Sequence, residues 1–174
     1  INGPLESNLY LYDVAGKAPK KRLTSRAGSE YAPEVSPDGR RLAFVGSEAS
    51  AEFYDMPRLW TTTPSPDARI DALAADLDRP VAGIVWREDS AALHTLYYDQ
   101  GVQRIVTIDA ASGARAPVVD LVGGTRLYLP SSGGQFSAAQ GTFAYTTSFT
   151  DRPAGLGVSR GHGETGAIDF NRAW

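Results

Sequence analysis

The chain has 174 residues, of which 42% are hydrophobic and 21% charged. This composition suits one or two globular domains with a hydrophobic core, and it argues against a disordered or fibrous chain. A formal net charge of −3 argues against nucleic acid and against an anionic membrane surface as partners. Cysteine is absent, which excludes disulfides, thiol nucleophiles and cysteine-ligated metal centres. The location stays open between cytoplasm and periplasm.

The sequence shows no pattern of a membrane span or a leader. No apolar run approaches the roughly 20 residues that a bilayer-spanning helix needs. The first residues, Ile1-Asn2-Gly3-Pro4, lack the basic and then apolar order of a signal peptide. Because the sequence begins at Ile1 and not at a methionine, we expect it to be a segment of a longer protein.

Short runs rich in Val, Ile, Tyr, Phe and Thr, bounded by turn residues, predict β-strands along the whole chain. The predicted strands lie, in chain order, at residues 9–13, 21–24, around Val35, 42–45, 58–61, 68–70, around Trp86, 92–96, 105–109, 117–121, around Phe136, 143–145, 156–158 and 167–168. A helix over residues 68–77 is a weaker alternative, since Ile70, Leu73 and Leu77 would share one of its faces.

The predicted strands recur at a period of about 50 residues. Two series of hydrophobic residues show this period, with members 51 and then 50 positions apart: Val35, Trp86 and Phe136, and Leu42, Leu93 and Phe143. A Pro-Asp-Gly turn separates the two series in the first repeat and is degraded in the other two. Four short strands at this period are typical of a β-propeller blade.

The second strand of a repeat is apolar at successive positions, as in residues 42–45, which is expected where neighbouring blades cover both faces. We therefore predict an all-β fold, a partial β-propeller of about three and a half four-stranded blades. Half a blade would occupy residues 1–25, two blades 26–77 and 78–125, and a last blade with the start of a linker 126–174. Propellers close with roughly 4 to 8 blades, so such a ring is incomplete. Its exposed strand edges and blade face predict that the isolated chain associates with itself or is marginally stable.

Two segments carry a resemblance to a known family. Residues 32–44, around Val35-Ser36-Pro37-Asp38-Gly39, resemble a repeat shared by the propellers of the prolyl oligopeptidase family and by periplasmic TolB-type propellers. Residues 167–171, Ala-Ile-Asp-Phe-Asn, are similar to the segment that ends the propeller of acylaminoacyl-peptidase-like members of the prolyl oligopeptidase family, before their hydrolase domain. Residues 146–153 resemble the last blade of those members.

This resemblance implies the C-terminal half of the propeller of a serine peptidase, cut before the catalytic domain. In that family the propeller admits only short or unfolded peptides to a Ser-Asp-His triad, which acts through an acyl-enzyme. The chain alone would then be non-catalytic, and its partner would be the oligopeptide substrate of the missing hydrolase domain. The alternative is a TolB-like propeller that binds a protein without catalysis. No cofactor is expected for either.

The candidate substrate-binding residues lie in and beside the long loop at residues 47–57: Glu48, Glu52, Tyr54 and Arg58. In dipeptidyl peptidases of the resembled family, propeller carboxylates hold the substrate amine, and Glu48 or Glu52 would suit that role through charge-assisted hydrogen bonds. Loops before the first strands would share this face of the propeller, with Arg26, Glu30, Tyr31, Asp78, Arg79 and Arg126. A solvated acidic loop is the plain alternative.

Other motifs predict structure and not chemistry. Gly157, Ser159 and Gly161 match the G-x-S-x-G nucleophile pattern, but the repeat places Ser159 on a third strand with residues 161–166 as its hairpin turn, so no catalytic residue is expected. His94 and His162 are the two histidines, too far apart in sequence to suggest a metal pair. We expect His94 to be buried and hydrogen-bonded, and we predict no metal site.

Overall fold

The computed structural model describes residues 6–49, 56–123, 134–147, 154–160 and 164–168. All regular elements in these ranges are β-strands, which agrees with the all-β prediction. The helical alternative for residues 68–77 is wrong: a two-residue strand at Asp71–Ala72 is followed by a turn in which the Leu77 N–H donates to the Ala74 carbonyl at 2.9 Å. No helix in the described ranges is long and apolar enough to cross a membrane.

Within the described ranges, the strands fall into one pair and three groups of four. The pair is Tyr10–Leu11 (β1) and Lys21–Arg22 (β2). The first group is Glu30–Val35 (β3), Leu42–Gly46 (β4), Arg58–Thr62 (β5) and Asp71–Ala72 (β6). The second is Val81–Trp86 (β7), Ala92–Asp99 (β8), Val102–Asp109 (β9) and Arg115–Val122 (β10). The third is Phe136–Ala139 (β11), Thr142–Thr147 (β12), Gly155–Arg160 (β13) and Glu164–Ile168 (β14).

Each group of four is an antiparallel meander in which strands adjacent in sequence pair with each other. The last two meanders are also joined by strand pairing between β10 and β12, at Val122 and Thr147. Two element limits differ from the prediction. The fourth strand of the first group begins at Asp71, because turns occupy residues 63–68. The last hairpin is tighter than residues 161–166, since Glu164 already pairs with Arg160.

The third repeat keeps its sequence spacing but changes its pairing. Val35 pairs with Leu42, and Trp86 pairs with Leu93. Phe136 instead pairs with Tyr145. The reason is the turn: Gln140 and Gly141 both have positive φ, at 48° and 71°, and form a two-residue hairpin loop of the kind that matches strand twist. The shorter loop shifts the register by two residues.

In the part of the chain that the structure describes, three apolar clusters lie between successive sheets and explain the continuous apolar runs. Along β4, Leu42 and Phe44 pack towards the β1–β2 pair, whereas Ala43 and Val45 pack towards the second meander. In β8, Leu93 belongs to the cluster shared with the first meander, and Leu96 to the cluster shared with the third. Both faces of these strands are therefore covered, as the apolar runs predicted.

Candidate binding face

Glu48 and Arg58 lie at the same end of the first meander. Arg58 begins β5 opposite Gly46, and Glu48 follows Gly46 by two residues. Both side chains are exposed, and within the described residues neither takes part in an ion pair. Glu52 and Tyr54 fall outside the described residues. The structure thus brings two of the four predicted residues, one acidic and one basic, to one rim.

The base of this rim is held by backbone hydrogen bonds that continue the β3–β4 ladder. The Ser47 N–H donates to the Ser29 carbonyl at 2.9 Å, and the Ala49 N–H to the Ala27 carbonyl at 3.2 Å. Gly28 has a φ of 119°, and a Cβ there would overlap the Ser47 carbonyl oxygen. Only glycine allows this approach, so Glu48 projects from a fixed backbone.

A buried ion pair lies beneath the rim. The Glu30 side chain is fully buried, and one of its oxygens lies 3.7 Å from an Arg26 guanidinium nitrogen. The Thr24 hydroxyl donates to the other oxygen. The Arg26 guanidinium stacks 3.5 Å from the Trp60 ring centroid, and the Trp60 indole N–H donates to the Gly46 carbonyl at 3.0 Å. These contacts tie the chain before β3 to the strands that carry the rim.

A second charged group lies on the neighbouring meander. Arg79 approaches Asp99 at 3.5 Å, and Arg104 links Asp99, at 3.6 Å, to Asp120, at 2.6 Å. An open cleft of about 450 Å³ adjoins these residues, with a partly apolar floor. Its lining is Leu77, Asp78, Arg79, Tyr97, Asp99, Val106, Arg115 and Pro117. The sequence pointed to Arg79 but missed Asp99, Arg104 and Asp120. The one feature of the sequence that could have indicated these three residues is that charged residues lie at the same end of adjacent predicted strands.

The turns at the opposite end of the sheets are joined to one another. The Asp38 N–H donates to the Ser90 hydroxyl at 3.1 Å, and the Gln140 N–H donates to a Glu88 carboxylate oxygen at 3.1 Å. Hydrogen bonds from Arg87 lower the pKa of Asp89 to about 2. At this end of the sheets, the hydrogen-bond acceptors are already paired within and between turns. This end therefore presents fewer unpaired charged groups to a ligand than the rim does.

Ser159 and His94 have structural positions. Ser159 lies within β13, paired with Phe143 on one side and Thr165 on the other, and it is 2% exposed. It is therefore not on the strand-to-helix elbow that a serine nucleophile needs. His94 is buried, its Nδ1 lies 2.9 Å from the Thr107 hydroxyl, and its ring meets Phe143 edge-on, as predicted. His162 falls outside the described ranges, within which no three metal-ligating side chains cluster.

Comparisons with known proteins support the propeller fold. The similar proteins are of two kinds, a protease propeller and TolB proteins. No family model matches the chain. A stretch of 42 residues is 52% identical to the Protein TolB homolog of Chlorobium chlorochromatii (strain CaD3), over 24% of this chain and 9% of that protein. The β-propeller domain of the Trilobed protease from Pyrococcus furiosus, which has an open velcro topology, superposes with a TM-score of 0.62 at 15% identity, covering 94% of this chain and 44% of that one.

TolB from Acinetobacter baumannii superposes with a TM-score of 0.60 at 19% identity, covering 92% of this chain and 37% of that one. The chain thus spans less than half the length of both solved propellers. At these identities the likeness establishes the fold, and it confirms an all-β partial propeller. Where one blade ends and the next begins remains a prediction, although the three groups of four strands follow the predicted order.

Proposed function

We propose that this chain is a non-catalytic propeller segment of a serine peptidase, and that it gates or positions oligopeptides for an α/β-hydrolase domain elsewhere in the parent protein. The observation that carries the proposal is the rim, where exposed Glu48, on a backbone fixed at Gly28, lies at the same end of the meander as exposed Arg58. A carboxylate and a guanidinium at one rim suit the two charged ends of a short peptide. Support also comes from the protease propeller among the similar structures and from the resemblance of residues 167–171, of which 169–171 lie outside the described ranges.

The coding sequence that follows Trp174 tests the peptidase part of this proposal. A strand, a G-x-S-x-G elbow and later Asp and His residues would support it. A stop codon or further blades would overturn it.

The role of the rim is tested in the full parent protein by Glu48→Gln. This variant removes the negative charge at residue 48. It should raise KM for peptides with a free amino terminus and leave KM for amino-blocked peptides unchanged. The matched control is Glu34→Gln, which removes an exposed carboxylate from β3. An equal effect of both variants, or an equal effect on both peptide types, would contradict the assignment.

A TolB-like binding module is the second candidate, and the 42-residue match at 52% identity favours it. In that case the loop face would bind a folded protein partner and cleave nothing. The parent protein would then show saturable binding of that partner, weakened by Glu48→Gln, without peptidase activity.

A further inference from the structure

All three lysines of the chain lie within five residues: Lys17, Lys20 and Lys21. They are on the connection from β1 to β2 and on β2 itself, and all three are exposed. In a chain with a net charge of −3, this hairpin is a local basic surface. We call residues 10–22 the basic hairpin.

The basic hairpin also exposes large apolar side chains. Leu11 is 45% exposed, Tyr12 65% and Val14 95%. Alternation along β1 puts Leu11 on the same face as Leu9, which is buried against the first meander. Leu11 therefore lies on the face of the hairpin that packs against the first meander. It extends past the part of the meander that covers Leu9.

A cleft of about 210 Å³ opens beside Leu11. Its lining combines apolar groups with one aspartate and one lysine: Leu11, Tyr12, Asp13, Ala18, Pro19 and Lys21. The cleft has room for a single large side chain, and Lys21 lies at its wall. On the other face of the hairpin, the Lys20 ammonium lies 4.2 Å from the Tyr10 ring centroid.

The hairpin turn is ordered by its own hydrogen bonds. The Asp13 carboxylate accepts from the N–H groups of Ala15, Lys17 and Ala18 at 3.0, 2.9 and 3.0 Å. Gly16 has a φ of 69°, and its N–H donates to the Asp13 carbonyl at 2.9 Å. A surface that is already ordered loses less conformational entropy when a partner binds.

We propose that the basic hairpin docks an acidic segment of a partner protein, which inserts one apolar side chain beside Leu11 and places carboxylates against Lys21, at the cleft, and Lys17, in the adjoining turn. Charge complementarity argues for an acidic partner. The small cleft and the Asp13 carboxylate at its wall favour a segment with spaced carboxylates over a continuous polyanion or a lipid surface. This surface is separate from the rim, so the inference stands whichever parent function holds.

The test uses the full chain and a fluorescein-labelled peptide, Asp-Glu-Asp-Phe-Asp-Glu-Asp, read by fluorescence anisotropy at low salt. We expect saturable binding that weakens with added salt. The double variant Lys17→Glu/Lys21→Glu should weaken binding by roughly tenfold or more. Leu11→Ser should weaken it without a change of charge. The matched control is Arg40→Glu together with Arg69→Glu, which makes the same charge change at exposed arginines elsewhere.

Three outcomes would overturn the inference. One is no saturable binding of the peptide. Another is an equal loss of binding in the control variant, which would mean that net charge alone is responsible. The third is tighter binding to vesicles containing phosphatidylserine than to the peptide, which would assign the hairpin to a membrane. Far-UV circular dichroism checks that each variant keeps its fold.

Discussion

His94 is a residue whose environment makes stability depend on pH. Burial lowers its pKa, and the nearby Arg87 charge lowers it further. The unfolded chain, with a histidine pKa of about 6.5, therefore binds a proton more readily than the folded protein does. The free energy of unfolding should not depend on this group above about pH 7.5, and it should decrease as the pH falls through 6.5 towards the lower folded pKa.

Urea unfolding between pH 8 and 5.5 measures this effect. The variant His94→Gln, which has no titrating group at this position, should show a flatter dependence of the urea midpoint on pH. Identical pH dependence in the two proteins would mean that other groups are responsible.

The buried Glu30 carboxylate depends on Arg26 for its counter-charge. Arg26→Met would keep much of the packing against Trp60 but leave a fully buried carboxylate without its ion-pair partner. We expect a loss of about 3 kcal/mol in the free energy of unfolding, measured with denaturant. Adding Glu30→Gln to Arg26→Met should restore part of the loss, because the charge is then gone.

The exposed pair of Arg69 and Asp71 provides the comparison for this experiment. The Arg69 side chain is 88% exposed, so Arg69→Met should change stability little. If Arg26→Met lowered the free energy of unfolding as little as Arg69→Met does, the ion pair beneath the rim would have no structural role.

The strands and turns were predictable from the sequence where the same residue pattern recurs in each repeat. They were less predictable where a turn changes its length. The predicted strands at residues 9–13 and 105–109 both end at an aspartate with a glycine three or four residues later, and both carboxylates accept backbone N–H groups of a turn. The shift of pairing in the third repeat was not predictable from hydrophobic spacing. It depends on the conformation of Gln140, and glutamine has no special preference for positive φ.

Gly157, on β13, lies where a side chain has no room. It pairs with Tyr145, and a Cβ on Gly157 would lie 2.5 Å from Tyr145 Cε2. The tyrosine ring, which is 2% exposed, fills this space from the neighbouring strand β12.

Gly157→Ala should therefore overpack the third meander and lower the free energy of unfolding by about 1–3 kcal/mol. Thermal unfolding of Gly157→Ala measures the loss. Tyr145→Leu removes the ring from this position. In that background, Gly157→Ala should lower the free energy of unfolding by a smaller amount. An equal cost in both backgrounds would show that the Tyr145 contact is not the cause.

At the scale of the molecule, the sequence predicted the architecture better than the site. The period of about 50 residues and the double-faced apolar strands led to the partial propeller, because both follow from packing between neighbouring sheets. The site depends on contacts between distant residues, such as Arg104 with Asp120 or Arg26 with Trp60. Nothing in local composition encodes those contacts, so the sequence offered candidate residues such as Glu48 and Arg58, whose role stays a prediction, but not the ion pairs beneath and beside them.

The whole chain should also associate with itself at high concentration. In the described residues, β1 pairs only with β2 and β14 pairs only with β13, so each leaves one strand edge open for pairing with another chain. Exposed Ile168 lies on the β14 edge. Association of this kind joins backbone groups and apolar surface, so it should persist at about 0.5 M salt, where exposed ion pairs are screened.

Light scattering over a concentration series, at low and high salt, measures this association. Mass that rises with concentration at both salts is the expected result. A clean monomer throughout would contradict it. Association that disappears with salt would assign the contact to charged surfaces such as the basic hairpin, and not to the strand edges.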